Sequence, residues 1–166
     1  MKQLLVIFTA VFFLLSCQNQ SASKWTKLTL IQEEPVLVHL NLGDTSHTHG
    51  DGMAFEAVLK DTTGKAVGEI IGWLITANID YIDSAKMTTL STRIGTVVFK
   101  FDEENEIVAQ GSTIYHHGQK QMKPGVPQNR AIVGGTGKYK GVEGQIFSTR
   151  NDDRTYTHVF DMKLED

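Results

Sequence analysis

The chain has 166 residues, a formal net charge of −3 and a single cysteine. One cysteine excludes a disulfide within the chain, so stability has to come from a packed core. Mild acidity without long charge runs argues against nucleic acid or an anionic membrane surface as a partner.

Met1-Lys2 is a short positive start, and residues 4–15 are almost wholly apolar. That run falls short of the roughly 20 apolar residues of a membrane-crossing helix and matches the apolar core of a secretory leader. It ends Leu14-Leu15-Ser16-Cys17, which resembles the lipobox of bacterial lipoproteins. The resemblance implies a signal peptide over residues 1–16, cleavage before Cys17 and diacylglycerol on its sulfur. A plain secretory leader with a chance cysteine is the alternative. Loss of Lys2 with the leader would take the net charge from −3 to −4. Residues 17–24 are polar and read as a lipidated N-terminus and flexible tether. Residues 25–166 have the length of one domain. The expected location is the cell envelope, held to a membrane by lipid, and Gln18 after the cysteine points to outer-membrane sorting.

The remainder reads as strands and turns. Val36, Val38, Leu40 and Leu42 alternate with Leu37, His39 and Asn41, the period of a strand. Residues 53–60 end at the turn cluster Asp61-Thr62-Thr63-Gly64. Residues 66–79 are apolar and β-branched, with Gly68 and Gly72 marking bends or close approach. Residues 93–101 and 106–115 flank Asp102-Glu103-Glu104-Asn105 and predict a hairpin. Residues 131–134, 142–150 and 154–164 complete the set, with Asn151-Asp152-Asp153 a turn. With residues 24–31 this makes about eight strands and no long helix. The fold class expected is all-β, an eight-stranded antiparallel β-barrel with room inside for side chains or one small ligand.

Two motifs tempt and fail. Gly134-Gly135-Thr136-Gly137-Lys138 is not a phosphate loop, since the early glycine's place holds Ile132 and Tyr139 follows the lysine. Gly134, Gly135 and Gly137 read instead as a tight strand-to-strand turn. His47-Thr48-His49 could offer two imidazoles to a metal, but Glu56 lies too far along for a cupin motif, and solvated loop histidines are the plainer reading. No metal and no cofactor is expected. Glu56, Glu69 and Glu143 read as decoration of exposed faces.

Three segments together resemble the allene oxide cyclase barrels, whose fold dirigent proteins share. They are Gly50-Asp51 with Phe55, Leu59, Asp61, Gly64 and Gly68; Val108-Ala109-Gln110-Gly111; and the run from Val133 to Gly144. In order and spacing they cover about residues 36–164. The resemblance implies an eight-stranded antiparallel barrel, with homotrimers common. His39-Leu40-Asn41 stands where cyclases carry Glu-x-Asn, so Asn41 matches and the glutamate is replaced by His39. A second cavity asparagine becomes His47, and a cavity cysteine becomes Leu74.

Two functions stay open. In one, the barrel holds a small apolar molecule and acts as a cyclase or isomerase by shape and orientation. His39, Asn41 and His47 are then the candidate catalytic contacts, His39 being the acid or base because its ordinary pKa lies near neutrality. In the other, the barrel is a non-catalytic envelope module that binds a ligand or a protein. If His39 and Asn41 face inward, the stripe from Val36 to Leu42 faces outward and needs cover from residues 24–31 or from a neighbouring subunit.

Overall fold

The structure, a computed structural model, describes residues 24–43, 49–83, 88–116 and 121–164, and side chains among them except at 78–83 and 88–89. Among the described residues there are nine strands: β1 (Lys24–Gln32), β2 (Val36–Leu40), β3 (Gly52–Lys60), β4 (Ala66–Asp83), β5 (Thr88–Lys100), β6 (Glu106–His116), β7 (Gln128–Gly135), β8 (Glu143–Arg150) and β9 (Tyr156–Leu164). They form one antiparallel sheet in the order β1-β9-β8-β7-β6-β5-β4-β3-β2. Pairing of Ile31 with Lys60 and Gln32 with Leu59 closes β1 onto β3. Eight strands therefore complete the barrel, as expected, and β2 is additional. After the Glu33-Glu34-Pro35 bend it runs along the first half of β3, from Val36 opposite Glu56 to Leu40 opposite Gly52.

β4 and β5 extend further than their apolar patterning indicates, reaching Asp83 and starting at Thr88. The polar run Asp83 to Thr92 hides this ladder from a hydrophobicity reading. At the opposite extreme β9 starts at Tyr156, two residues later than expected. The turn before it explains why. Asp153 Oδ1 accepts hydrogen bonds from the backbone and hydroxyl of Thr155 at 3.0 and 2.6 Å, and Arg154 sits at φ 72°.

One end of the barrel is a closed apolar core. Leu30, Leu59, Ile70, Phe99, Ile107, Ile146 and Phe160 are all but fully buried there. Phe99 and Phe160 meet edge-on with centroids 4.8 Å apart. The segment after β7 seals this end. Thr136 donates its hydroxyl to the Glu104 carbonyl at 2.6 Å and accepts the Glu106 amide at 3.1 Å, while the Lys138 amide reaches Asn105 Oδ1 at 2.8 Å. A single 3-10 turn, Gly137–Tyr139, then tucks the Tyr139 ring under the barrel against Phe101.

The three turn glycines play different parts. Gly137 has φ +56° and a Cβ there would meet Asn105 and the Glu104 carbonyl. Gly135 lets the Tyr139 carbonyl come within 2.6 Å of where a Cβ would be. Gly134 has φ +158°, a backbone that L side chains rarely adopt, with open space around it.

The stripe Val36, Val38, Leu40 and Leu42 faces outward and is 60–64% exposed. β1 does not cover it, because β1 is spent on β9 and the end of β3. Cross-strand registers continue it sideways, Val38 to Ala54 to Trp73 and Leu40 through Gly52 to Ile75 and Ile94.

Candidate functional site

Above the closed core the same strands line a cavity. Its floor is Ile70, Val97, Phe99, Ala109 and Ile146; Leu37, Met53, Tyr115, Met122 and Tyr156 surround its upper part. About 40 Å³ is free inside, room for about three waters at some 10–15 Å³ each. Residues 121–127 cross this end of the barrel. Met122 is buried among Met53, Leu74, Tyr115 and Tyr156, and the Gly125 amide donates to the Arg150 carbonyl at 2.9 Å.

A belt of buried polar side chains rings the cavity. His158 on β9 is fully enclosed, and burial, helped by the nearby Arg130 charge, lowers its pKa to about 3. The neutral ring is held at both nitrogens: Nε2 donates to Gln32 Oε1 at 2.9 Å, and the Ser148 hydroxyl donates to Nδ1 at 2.8 Å. That pairing satisfies three buried side chains on β1, β8 and β9 at once. It also removes His158 from acid–base work at neutral pH, since neither nitrogen is spare and the base is far too weak.

Arg130, only 7% exposed, reaches in from β7. Its Cγ would lie 3.3 Å from a Cβ on Gly111, so the glycine of the Val108-Ala109-Gln110-Gly111 segment makes room for this side chain. Nη2 donates to the Thr113 hydroxyl, and Nε is buried without a hydrogen-bond partner. Burial pulls the Arg130 pKa below its ordinary value, with Tyr115 and Tyr156 opposing. Arg93 on β5 does not line the cavity itself and is supported through Tyr115, which does. Its guanidinium lies 4.1 Å from the Tyr115 ring centroid, a cation–π contact, and Asp51 favours its charge.

Burial raises the pKa of Tyr115, and it pushes Tyr156 up to about 12. Both remain phenols at neutral pH. The belt is therefore rich in donors and cations and poor in bases. Such a set can orient a ligand and hold negative charge on oxygen. Among the described residues no cluster of three or more His, Cys, Asp or Glu is placed to hold a metal.

His39 pairs with Met53 across β2 and β3, is exposed, and does not line the cavity. Asn41 is exposed too, its Oδ1 accepting the Gly43 amide at 3.0 Å. Leu37, on the same face, is the β2 residue that reaches the cavity, and Leu74 lines it from β4. Cys17 and His47 lie outside the described residues. The belt residues Arg93, Tyr115, Arg130 and His158 were not singled out from sequence. A parity signal was there, since Arg93 shares its face with Val97 and Phe99, and His158 with Phe160 and Met162.

The barrel has the allene oxide cyclase/dirigent-like fold. It is similar to a pyocyanin demethylase, at TM-score 0.63 and 19% identity, over 82% of this chain and 99% of that one. A pterocarpan synthase dirigent protein superposes at TM-score 0.59 and 16% identity, over 90% and 94% of the two chains. A nonspecific heme-binding cyclase that catalyses a cycloaddition does so at 0.60 and 13% identity, over 93% and 68%. No protein-family model matches the sequence, and no curated protein matches it.

Proposed function

We propose that the chain is an envelope protein whose barrel holds a small, largely apolar molecule and guides its cyclisation or isomerisation. The observation that carries this reading is the cavity itself, with an apolar floor, a methionine stopper and a belt of donors at mid-height. Reactions of this kind are helped by enforced conformation and by donors facing developing oxyanion charge, and they need no nucleophile. Cyclase and dirigent neighbours support the reading through shared fold only. His39 and Asn41 serve in it as exposed contacts outside the cavity.

The test is native mass spectrometry of the domain after exposure to small-molecule extracts of its source cells. Wild type should retain a discrete small mass, and Leu37→Trp, which narrows the mouth, should lose it. Retention of nothing by wild type refutes the pocket. The exposed apolar face of β2, β3 and β4 favours a second reading, a binding module that assembles with itself as a homotrimer or with another protein. The same spectra decide it, because a trimeric mass without a ligand supports assembly alone. Membrane tethering through Cys17 completes the proposal. Cys17→Ala should move the mature protein out of the membrane fraction, and mature-size protein still in that fraction would refute the anchor.

A further inference from the structure

We propose that the molecule this cavity receives is an organic carboxylate, its head group seated on Arg130 between Tyr115 and Tyr156. The inference rests on the small-molecule reading above and adds a charge requirement to it.

Arg130 is buried and lines the cavity. Among the described residues its side-chain hydrogen bond goes to a neutral hydroxyl, that of Thr113, and its Nε has none. No described carboxylate pairs with it; the groups that favour its charge are the phenols of Tyr115 and Tyr156. A guanidinium does not shed its proton in a protein, so its charge persists inside the barrel. A buried cation without a counter-charge is costly, and a carboxylate is the anion whose two oxygens match the guanidinium fork. The remaining charged neighbours leave that place open. His158 is neutral, held by Gln32 and Ser148. Arg93 stacks on Tyr115 with Asp51 behind it. Around the head group the wall is apolar: Ile146, Ala109 and Phe99 lie beneath, and Met122 above. The 40 Å³ that is free holds about three waters, so such a ligand enters only as the Met122 side chain moves aside; the site then asks for one anionic end on a hydrocarbon body.

The experiment is isothermal titration calorimetry of the folded domain with benzoate, benzamide and acetate. Benzoate should bind at least tenfold more tightly than benzamide, which has the same shape without the charge, and more tightly than acetate, which has the charge without the body. Arg130→Met should abolish the preference for benzoate over benzamide, and Arg130→Lys should restore part of it. The wild-type comparison stands even if Arg130→Met does not fold. Equal affinity for benzoate and benzamide would overturn the carboxylate while leaving the pocket intact. Acetate binding as well as benzoate would mean a site for a free small anion and would overturn the organic ligand. Binding of none of the three would count against both the pocket and its charge.

Discussion

Two halves of one interior are threaded by the same strands, and on strand after strand the inward side chains change character at mid-height. β9 passes from Met162 and Phe160 to His158 and Tyr156; β5 from Phe99 and Val97 to Arg93 and Ser91; β6 from Ile107 and Ala109 to Thr113 and Tyr115. The strand alternation is unbroken across the change, so the backbone treats both halves alike. The difference lies in what burial demands. The closed half gains from each apolar group removed from water. In the other half each buried polar atom needs a partner, and Arg130 lacks a counter-charge. One half supplies stability, and the other gives some of it up to keep polar groups buried.

Acid should separate the halves most strongly. The His158 ring stays neutral in the folded chain down to about pH 3, whereas its ordinary value is 6.5. Between those values the unfolded chain binds more protons, so stability falls as pH drops from about 6.5 towards 3 and levels off below. At about 1.4 kcal/mol per unit of pKa difference, the loss amounts to several kcal/mol. Asp61, Asp102 and Asp153 have pKa values lowered from 3.8 by hydrogen bonds to their turns. Their stabilisation is lost only below that value, outside the pH 4.5–6.5 window in which the unfolded chain protonates His158. Urea midpoints over this window should slope for wild type and be nearly flat for His158→Gln. Parallel slopes would mean that the closed and polar halves respond alike.

The closed end should instead be sensitive to backbone shape. Gly137→Ala forces a side chain into positive φ against Asn105 and the Glu104 carbonyl, at a cost of about 1–3 kcal/mol. Gly52→Ala, at the start of β3, needs no positive φ and would meet the Leu40 side chain at an ordinary 3.5 Å, so it should stay within about 0.5 kcal/mol. Thermal melts of the two variants at pH 7 check the contrast. Equal losses would mean that the Gly137 geometry is not what makes the closed end sensitive.

The barrel was legible because alternation and turn chemistry agree along most of the chain. The Asp102–Asn105 hairpin illustrates this, with Asp102 Oδ1 capping the amides of Glu104 and Asn105 at 3.0 and 2.9 Å. The site was harder to read. His39 alternates onto the same face of β2 as Leu37, and Asn41 lies just past the strand's end; both are exposed. What sequence could not say is that β2 is the additional strand, outside the eight that close the barrel, which leaves both residues exposed. The buried arginines escaped for a different reason: composition places arginine on the surface by default. Only the closure of the barrel shows that the alternation Arg93, Gly95, Val97, Phe99 points inward throughout.

Met122 gives the cavity a kinetic character of its own. A stopper made of an unbranched, flexible thioether can swing aside without breaking a strand ladder, and rotamer changes are fast beside barrel opening. Residence time inside the barrel would then be governed by this one side chain and by the Gly125–Arg150 hydrogen bond that pins its segment. How tightly an occupant is held and how quickly it leaves would be written in different residues, free to vary separately.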